Sequence, residues 1–253
     1  MLRLSRRLKA LVQMVPHGVK IADIGTDHAF LPCYLLREKI ASAAIGVEVN
    51  KGPYHKACAT VEEYDLLEKI EIRLGDGLAV IKPGEVNAII IAGMGGTVIR
   101  DILEKSPQVV ASLDKLIIQP MRAPELVREW LVEHAWSISE EELIYEDKRF
   151  YQIIGAIPQR SENRKSVGVQ FSPVLMNEFI LNELETLYGP ILMNKRHPLL
   201  AGLVEKDMKG LQEIINELAK TDTKDAQKRL IKYQEKLQEL KELKEWLSVA
   251  KQS

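Results

Sequence analysis

Acids and glycines recur in this chain where apolar runs stop, and their types suit the binding of a nucleoside. In Asp23-Ile24-Gly25-Thr26-Asp27-His28 the apolar run from Val19 to Ile24 gives way to a tight turn. Such a turn presents unpaired backbone N–H groups beside a flexible glycine, where open α/β folds bind ligands. Glu48 follows 25 positions after Asp23, close to the ~20-residue interval at which a carboxylate meets ribose hydroxyls in doubly wound folds. A carboxylate suits a vicinal diol because it accepts two hydrogen bonds. Asp76 stands between Gly75 and Gly77 where the strand-like segment Lys69 to Leu74 ends, and Gly93-Met94-Gly95-Gly96 would let backbone come close to a ligand. The plain alternative is that Gly25 only permits a tight turn in an unrelated α/β protein.

The elements that must position these residues follow from hydrophobic patterning. Val19 to Ile24 reads as a buried strand and Ala43 to Val49 as a second, near-continuously apolar parallel strand, while Lys69 to Leu74, Val86 to Ala92 and Lys115 to Gln119 read as the next three strands. Helices are predicted from about Ala29 to Lys39, Pro53 to Leu66, Val98 to Glu104 and Ala123 to His134, the last with Pro124 in its first turn. Trp136 to Tyr145 and Arg149 to Ile157 have no helix between them and read as an antiparallel hairpin at the sheet edge. Five βα units closed by a hairpin make a seven-stranded, mostly parallel sheet.

Composition excludes several classes. With 253 residues, 46% of them hydrophobic, the chain can build one large domain or two modest ones. No run approaches the ~20 apolar residues of a membrane span, and the N-terminus lacks a signal-peptide core, so a cytoplasmic protein is expected. Cys33 and Cys58 have neither metal-ligand nor disulfide-framework spacing; no metal is expected. The net charge of −1 hides an uneven distribution: residues 1–22 hold Arg3, Arg6, Arg7, Lys9 and Lys20 and no acid. Leu4, Leu8, Leu11, Val12 and Val15 recur there at helical spacing, giving an amphipathic helix whose cationic face either contacts phosphates or is simply solvated.

Two chemistries compete for such a sheet. The nicotinamide dehydrogenase fingerprint requires three glycines in the first turn so that pyrophosphate can sit on the helix N-terminus. Only the first is present. Asp27 and Phe30 stand where the others would fall, and a carboxylate repels pyrophosphate but tolerates the ammonium or sulfonium of S-adenosylmethionine. The terminal hairpin also favours the methyltransferase topology.

Asp23-Ile24-Gly25-Thr26-Asp27-His28-Ala29-Phe30-Leu31-Pro32, with Gly75-Asp76-Gly77-Leu78, Ala92-Gly93-Met94-Gly95-Gly96 and Gln119-Pro120-Met121, resembles the bacterial TrmK family. The resemblance spans essentially the whole chain. That family comprises tRNA (adenine-N1)-methyltransferases acting on adenine 22 in the D arm. The resemblance implies an α/β fold with a Rossmann-like seven-stranded class I methyltransferase sheet over residues 1–158, S-adenosyl-L-methionine as cofactor and tRNA as partner, in a protein expected to act as a monomer. Gly25 and Asp27 would line the methionine part of the cofactor, Glu48 would hold the ribose, and Asp76 would accept from the adenine amino group, with Gly77 allowing close approach. Gly93 and Met94 would border cofactor and target base; Asp23, Thr26 and Val49 complete the cofactor set. Many amino-methylating enzymes place an Asp/Asn-Pro-Pro-aromatic motif after the fourth strand. Ala92-Gly93-Met94-Gly95 stands there instead, which fits a ring-nitrogen target with its own in-plane lone pair.

Methylated N1 becomes cationic, so Asp27 is a candidate to stabilise developing charge; its other reading is a helix N-cap that also touches the cofactor. His28 either touches the target base or is a hydrogen-bonded structural histidine. N1 lies on the pairing edge, so the adenine must leave any pair and stack in the pocket. Phe30 and Tyr34 are stacking candidates, with burial in the core as the alternative for both. Other acceptors for the methyl group, and a non-catalytic RNA-binding module, remain as competing readings; the acids at Glu48 and Asp76 argue against the second.

Gln159 to Ser172, with Arg160, Arg164 and Lys165, reads as a linker, followed by a helix from about Val174 to Tyr188 and a basic turn at Lys195-Arg196-His197-Pro198. Val204, Met208, Leu211, Ile215 and Leu218, then Leu230, Tyr233, Leu237, Leu240 and Leu247, repeat at coiled-coil spacing on either side of Thr221-Asp222-Thr223. Residues 172–253 are therefore expected to form an antiparallel helical coiled-coil domain. Phosphate contacts from Arg3, Arg6, Arg7, Lys195 and Arg196 would give salt-dependent tRNA binding.

Overall fold

The computed structural model describes residues 2–159 and 178–249. The chain divides into two compact units, Met1–Val169 and Gln170–Ser253. Most of the polar segment expected to link them, with Arg160, Arg164 and Lys165, and the start of the helix expected from Val174, lie outside the described residues.

In the first unit, α1 (Arg6–Gln13) precedes β1 (Lys20–Ile24), α2 (Phe30–Arg37), β2 (Ala43–Glu48), α3 (Lys51–Glu63) and β3 (Ile70–Leu74). A 3₁₀ turn (Gly77–Val80), β4 (Ala88–Met94), α4 (Gly96–Glu104), α5 (Pro107–Ala111), β5 (Lys115–Pro120), α6 (Pro124–Glu133), β6 (Trp136–Glu146) and β7 (Arg149–Pro158) complete it. The seven strands lie in the order β3-β2-β1-β4-β5-β7-β6. β1 to β5 pair in parallel, and β7 runs antiparallel to both β5 and β6.

Side chains alternate across the strands, so each face of the sheet carries its own core. Ala22, Ile24, Ile45, Ile89 and Ile91 pack with Ile99, Leu103, Val127 and Trp130 from α4 and α6. Ile21, Ala44, Ile90 and Ile117 pack on the other face with Leu11, Leu35, Ala57 and Val61 from α1, α2 and α3. This two-sided burial explains the near-continuous apolar strands. Because β2 and β4 leave β1 on opposite sides, the strand order reverses there and opens a crevice at the carboxyl ends.

Local differences from the sequence reading have physical causes. α3 starts at Lys51, since Pro53 fits in a first turn where its missing N–H costs nothing. β4 runs to Met94 through a bulge between Ala92 and Met94, where Gly93 takes φ +83°. Short helices α5 and, in the second unit, α8 (Pro190–Asn194) form in segments to which the sequence reading assigned no element; both begin at a proline.

Beneath the hairpin, Arg128 of α6 is fully covered; its Nε donates to Glu141 Oε1 at 2.8 Å and Nη2 to Gln152 Oε1 at 2.6 Å. Removing one member of such a pair strands the other charge in a dry site. Arg128→Ala is therefore expected to cost about 3–5 kcal/mol, read as a lowered urea midpoint; a loss below about 1 kcal/mol would place the pair among solvent-screened bridges.

The second unit contains α7 (Glu178–Tyr188), α8 (Pro190–Asn194), α9 (Leu200–Leu218) and α10 (Lys224–Val249). α9 and α10 run antiparallel, with Lys244 Nζ 3.4 Å from Glu205 Oε2. Val204 and Ile215 of α9 and Leu237, Leu240, Leu243 and Leu247 of α10 are buried, whereas Met208, Leu211, Leu230 and Tyr233 are only partly covered. Tyr188 is buried and donates to Asp207 Oδ2 at 3.1 Å; burial, then the Asp207 charge, pushes its phenol above the usual range.

Candidate active site

The β1–α2 turn is built by backbone that most side chains resist. Gly25, Asp27 and Ala29 have φ of +75°, +52° and +54°. The turn is anchored on β2: Gly25 N and Thr26 N donate to Val47 O at 2.8 and 3.1 Å, and Asp27 N donates to Glu48 Oε2 at 3.2 Å. Left-handed Ala29 is the N-cap of α2 and offers no side-chain acceptor. Asp27 therefore does not cap the helix, as one reading of the sequence had it; its side chain is 69% exposed, and its Oδ1 lies 3.8 Å from His28 Nε2.

Glu48 ends β2 with 7% exposure, held by three backbone donors: Asp27 on Oε2, and Val49 and Asn50 on Oε1 at 3.0 and 3.2 Å. Nearby, Asp23 accepts from Thr26 Oγ1 at 2.7 Å. Burial pushes the Asp23 carboxyl up to about 6; the Thr26 hydroxyl opposes the rise and the Glu48 charge adds to it.

Two cavities meet at Gly25. One, of about 230 Å³, is lined by Glu48, Val49, Asp76, Gly77 and Met94 among others. The second, of about 310 Å³, is lined by Arg7, Asp23, Thr26, Asp27, His28, Phe30 and Gly93 among others. Every residue expected to bind the cofactor thus borders one or both. A Cβ on Gly25 would meet only the terminal methyl of the flexible Met94 side chain, which can turn aside; it is the φ of +75° that favours glycine at this turn.

The residues expected to touch substrate separate. Phe30 is 43% exposed, its ring stacked at 6° on His28 with centroids 5.4 Å apart. It lies on the cavity wall, against the alternative that it is core, whereas Tyr34 packs on the core. Arg3 and Arg6 are exposed. Arg7, expected beside them, turns inward: Nη1 donates to Gln119 Oε1 at 2.6 Å, and its guanidinium stands 5.4 Å from the Tyr151 ring centroid. In the second unit Lys195 is exposed, but Arg196 stacks on Trp246 at 4.1 Å.

Sequence reasoning missed the pairing of Arg7 with Gln119. A fully buried glutamine ending the apolar run Leu116-Ile117-Ile118 was the available signal. Its Nε2 donates to Pro120 O at 3.0 Å, so the amide is oriented at both ends. Among the described residues no group of three His, Cys, Asp or Glu could hold a metal, and no helix is long and apolar enough to cross a membrane.

With this geometry in place, comparison with known proteins is specific. Residues 4–154 match the family model described as "Methyltransferase domain". The tRNA (adenine(22)-N(1))-methyltransferase of Bacillus subtilis (strain 168) is 33% identical over 96% of this chain and 97% of its own. The crystal structure of the B. subtilis m1A22 tRNA methyltransferase TrmK superposes with a TM-score of 0.82, at 31% identity over 96% of this chain and 99% of that one. Streptococcus pneumoniae Sp1610, a putative tRNA (m1A22) methyltransferase solved in complex with S-adenosyl-L-methionine, gives a TM-score of 0.79 at 29% identity, over 95% of this chain and 99% of that one. The fold, the paired cavities and these likenesses over nearly the full length agree: the chain belongs to the tRNA (adenine(22)-N(1))-methyltransferase family.

Proposed function

We infer that this chain transfers a methyl group from S-adenosyl-L-methionine to N1 of adenine 22 in the D arm of tRNA, in the cytoplasm where that substrate resides. The observation that carries the reading is the pair of cavities meeting at Gly25, within a chain of this family. One has a ribose-type carboxylate, Glu48, and a glycine-flanked acid, Asp76; the other has Asp23 and Asp27 beside the aromatic pair His28 and Phe30. This donor set fits an adenosine at one end and a cationic methionine tail at the other.

When bound, the cofactor supplies an electrophilic methyl group on sulfonium, which adenine N1 can attack in line. The chain's work is positioning. Glu48 accepts from the ribose hydroxyls, Asp76 from the adenine amino group, and Val49, Thr26, Gly77, Gly93 and Met94 shape the walls. Phe30, exposed beside the turn, offers a face on which an unstacked adenine can rest, with His28 backing it. Asp27, at the cavity wall and open to solvent, is placed to offset the positive charge that N1 acquires. Arg3 and Arg6 on α1, and Lys195 in the helical unit, are exposed cations suited to phosphates.

The test is incubation of unmodified tRNA with labelled S-adenosylmethionine, followed by nucleoside mass spectrometry and position mapping. N1-methyladenosine at position 22 is expected. Label on another nucleoside, or cofactor binding without transfer to any tRNA, would overturn the acceptor assignment.

Asp23 makes the cofactor step pH-dependent. Its carboxyl is raised to about 6, so the unliganded fold prefers it protonated, and this contribution to stability is present below about pH 4 and lost as pH rises through about 6. A cationic ammonium beside it favours the charged form, so cofactor binding releases a proton near pH 6. Cofactor affinity is expected to be level above pH 7 and to fall by up to about tenfold per unit below about 6. Asp23→Asn should flatten that slope in calorimetric titrations; an unchanged slope would assign it to another group.

A further inference from the structure

The cofactor expected in this site has two opposite charges at its amino-acid end, an ammonium and a carboxylate, besides the sulfonium. The acids around the larger cavity, Asp23 and Asp27, answer the cations. Among the residues lining it, Arg7 is the sole arginine or lysine. We infer that Arg7, carried in from the N-terminal helix, binds the carboxylate of the cofactor's methionine end. The inference rests on the cofactor assignment above and goes beyond it, because it moves Arg7 from the RNA surface to the cofactor pocket.

Three features of the chain support this role. First, the guanidinium lies over the end of β4: Nη1 is 4.0 Å from the position a Cβ would take on Gly93, ordinary contact distance, and both residues line the cavity. Second, it is oriented from behind. Gln119 is fully buried, accepts from Nη1 at 2.6 Å and is itself fixed through Nε2 to Pro120 O. Among the described residues this is the only hydrogen bond made by the Arg7 side chain, so Nε and Nη2 keep their donors for a ligand, as bidentate recognition of a carboxylate requires. Third, the helix carrying it is tied to the sheet. Glu146, at the end of β6, accepts from Arg6 N at 2.7 Å and, more weakly, from Arg7 N at 3.5 Å, and Ser5 caps the same turn through Leu8 N at 3.3 Å. Burial would raise the Glu146 carboxyl, but the Arg6 amide, the Ser5 hydroxyl and then the Arg7 amide and charge hold it below its usual range. A phosphate contact calls for a mobile, outward cation such as neighbouring Arg3 or Arg6; Arg7 is half-buried, fixed and inward.

Removing the carboxylate from the ligand separates this role from its rivals. Decarboxylated S-adenosylmethionine keeps the adenosine, sulfonium and ammonium and lacks only that group. Calorimetric titration of the full chain should show decarboxylated ligand binding about 10- to 100-fold more weakly than S-adenosylmethionine, the scale of a lost charged hydrogen-bonded pair. Arg7→Met should weaken S-adenosylmethionine by a similar factor and change the decarboxylated ligand by less than about threefold, while Arg7→Lys, which keeps the charge without the planar fork, should lie between. Affinity for tRNA alone, by filter binding, should stay within about twofold for Arg7→Met. Equal losses for both ligands in Arg7→Met and Arg7→Lys would make Arg7 a structural residue and overturn the inference. Unchanged cofactor affinity with weakened tRNA binding would return it to a phosphate. Failure of the unsubstituted protein to bind S-adenosylmethionine would instead defeat the cofactor assignment itself.

Discussion

Gly96→Ala is expected to destabilise the methyltransferase unit by about 3 kcal/mol, the upper end of overpacking costs, and to abolish most methyl transfer. A Cβ on Gly96 would overlap the Ala123 carbonyl oxygen and come within 3.1 Å of Arg122 O. Both obstacles are backbone, and no rotamer change relieves them. The two loops are also laced together, Gly96 N donating to Arg122 O at 2.8 Å and Met121 N to Met94 O at 2.7 Å. Forcing them apart moves Met94 at the cavity wall and the Gln119-Pro120-Met121 segment that orients Arg7. The thermal midpoint should drop by roughly 6–12 °C for a unit of this size. Gly95→Ala is the matched control: its φ is −71° and a Cβ there meets nothing within 4 Å. The midpoint of that variant should stay within about 2 °C; equal losses in both would show that the loop is sensitive to any side chain rather than to this close approach.

Glu48→Ala is expected to lower cofactor affinity by about 100-fold or more, the loss of two charge-assisted hydrogen bonds to a ribose diol. The side chain also holds the Asp27, Val49 and Asn50 amides, so the turn that borders both cavities loses its brace on β2. Glu48→Gln keeps one acceptor oxygen and should fall between the two. It also removes a charge that helps raise the Asp23 carboxyl, so the pH at which affinity begins to fall should move below about 6. Titration with S-adenosylmethionine and its demethylated product across pH 5–8 reads both effects. Affinity within threefold of the parent in Glu48→Ala would remove Glu48 from the ribose role.

Both substitutions act where sequence spacing and tertiary contact meet, and they mark how far the sequence could be read. Glu48 was legible because it ends an unmistakable apolar run, and Asp76 because it stands between two glycines just past the alternating strand Ile70–Leu74; parallel strands deliver their carboxyl ends to one edge. Gly96 was visible as part of a glycine cluster. Its particular obligation, to the Ala123 carbonyl across the β4–β5 edge, was not, since close approach between loops has no local sequence pattern. Asp27 shows the same limit: a polar residue just before a helix is a reasonable N-cap from spacing, but the left-handed turn carries the chain two residues further and leaves Ala29 in that place. Phe30 has the composition of a core residue, yet the position of the turn sets it at the cavity.

The sequence by itself determined the sheet, its edge hairpin and the acids at its carboxyl ends, because strand periodicity and turn chemistry are short-range and every buried strand repeats them. Only the tertiary structure decided what Arg7 does. Charge and helical spacing place it on a cationic face with Arg3 and Arg6, and nothing local distinguishes the three. The difference comes from Gln119, 112 residues away along the chain, whose buried amide faces α1 only once the strands have ordered themselves and Glu146 has fixed the helix beside them. A buried acceptor at that edge must be paired, and folding, not spacing, selects which cation reaches it.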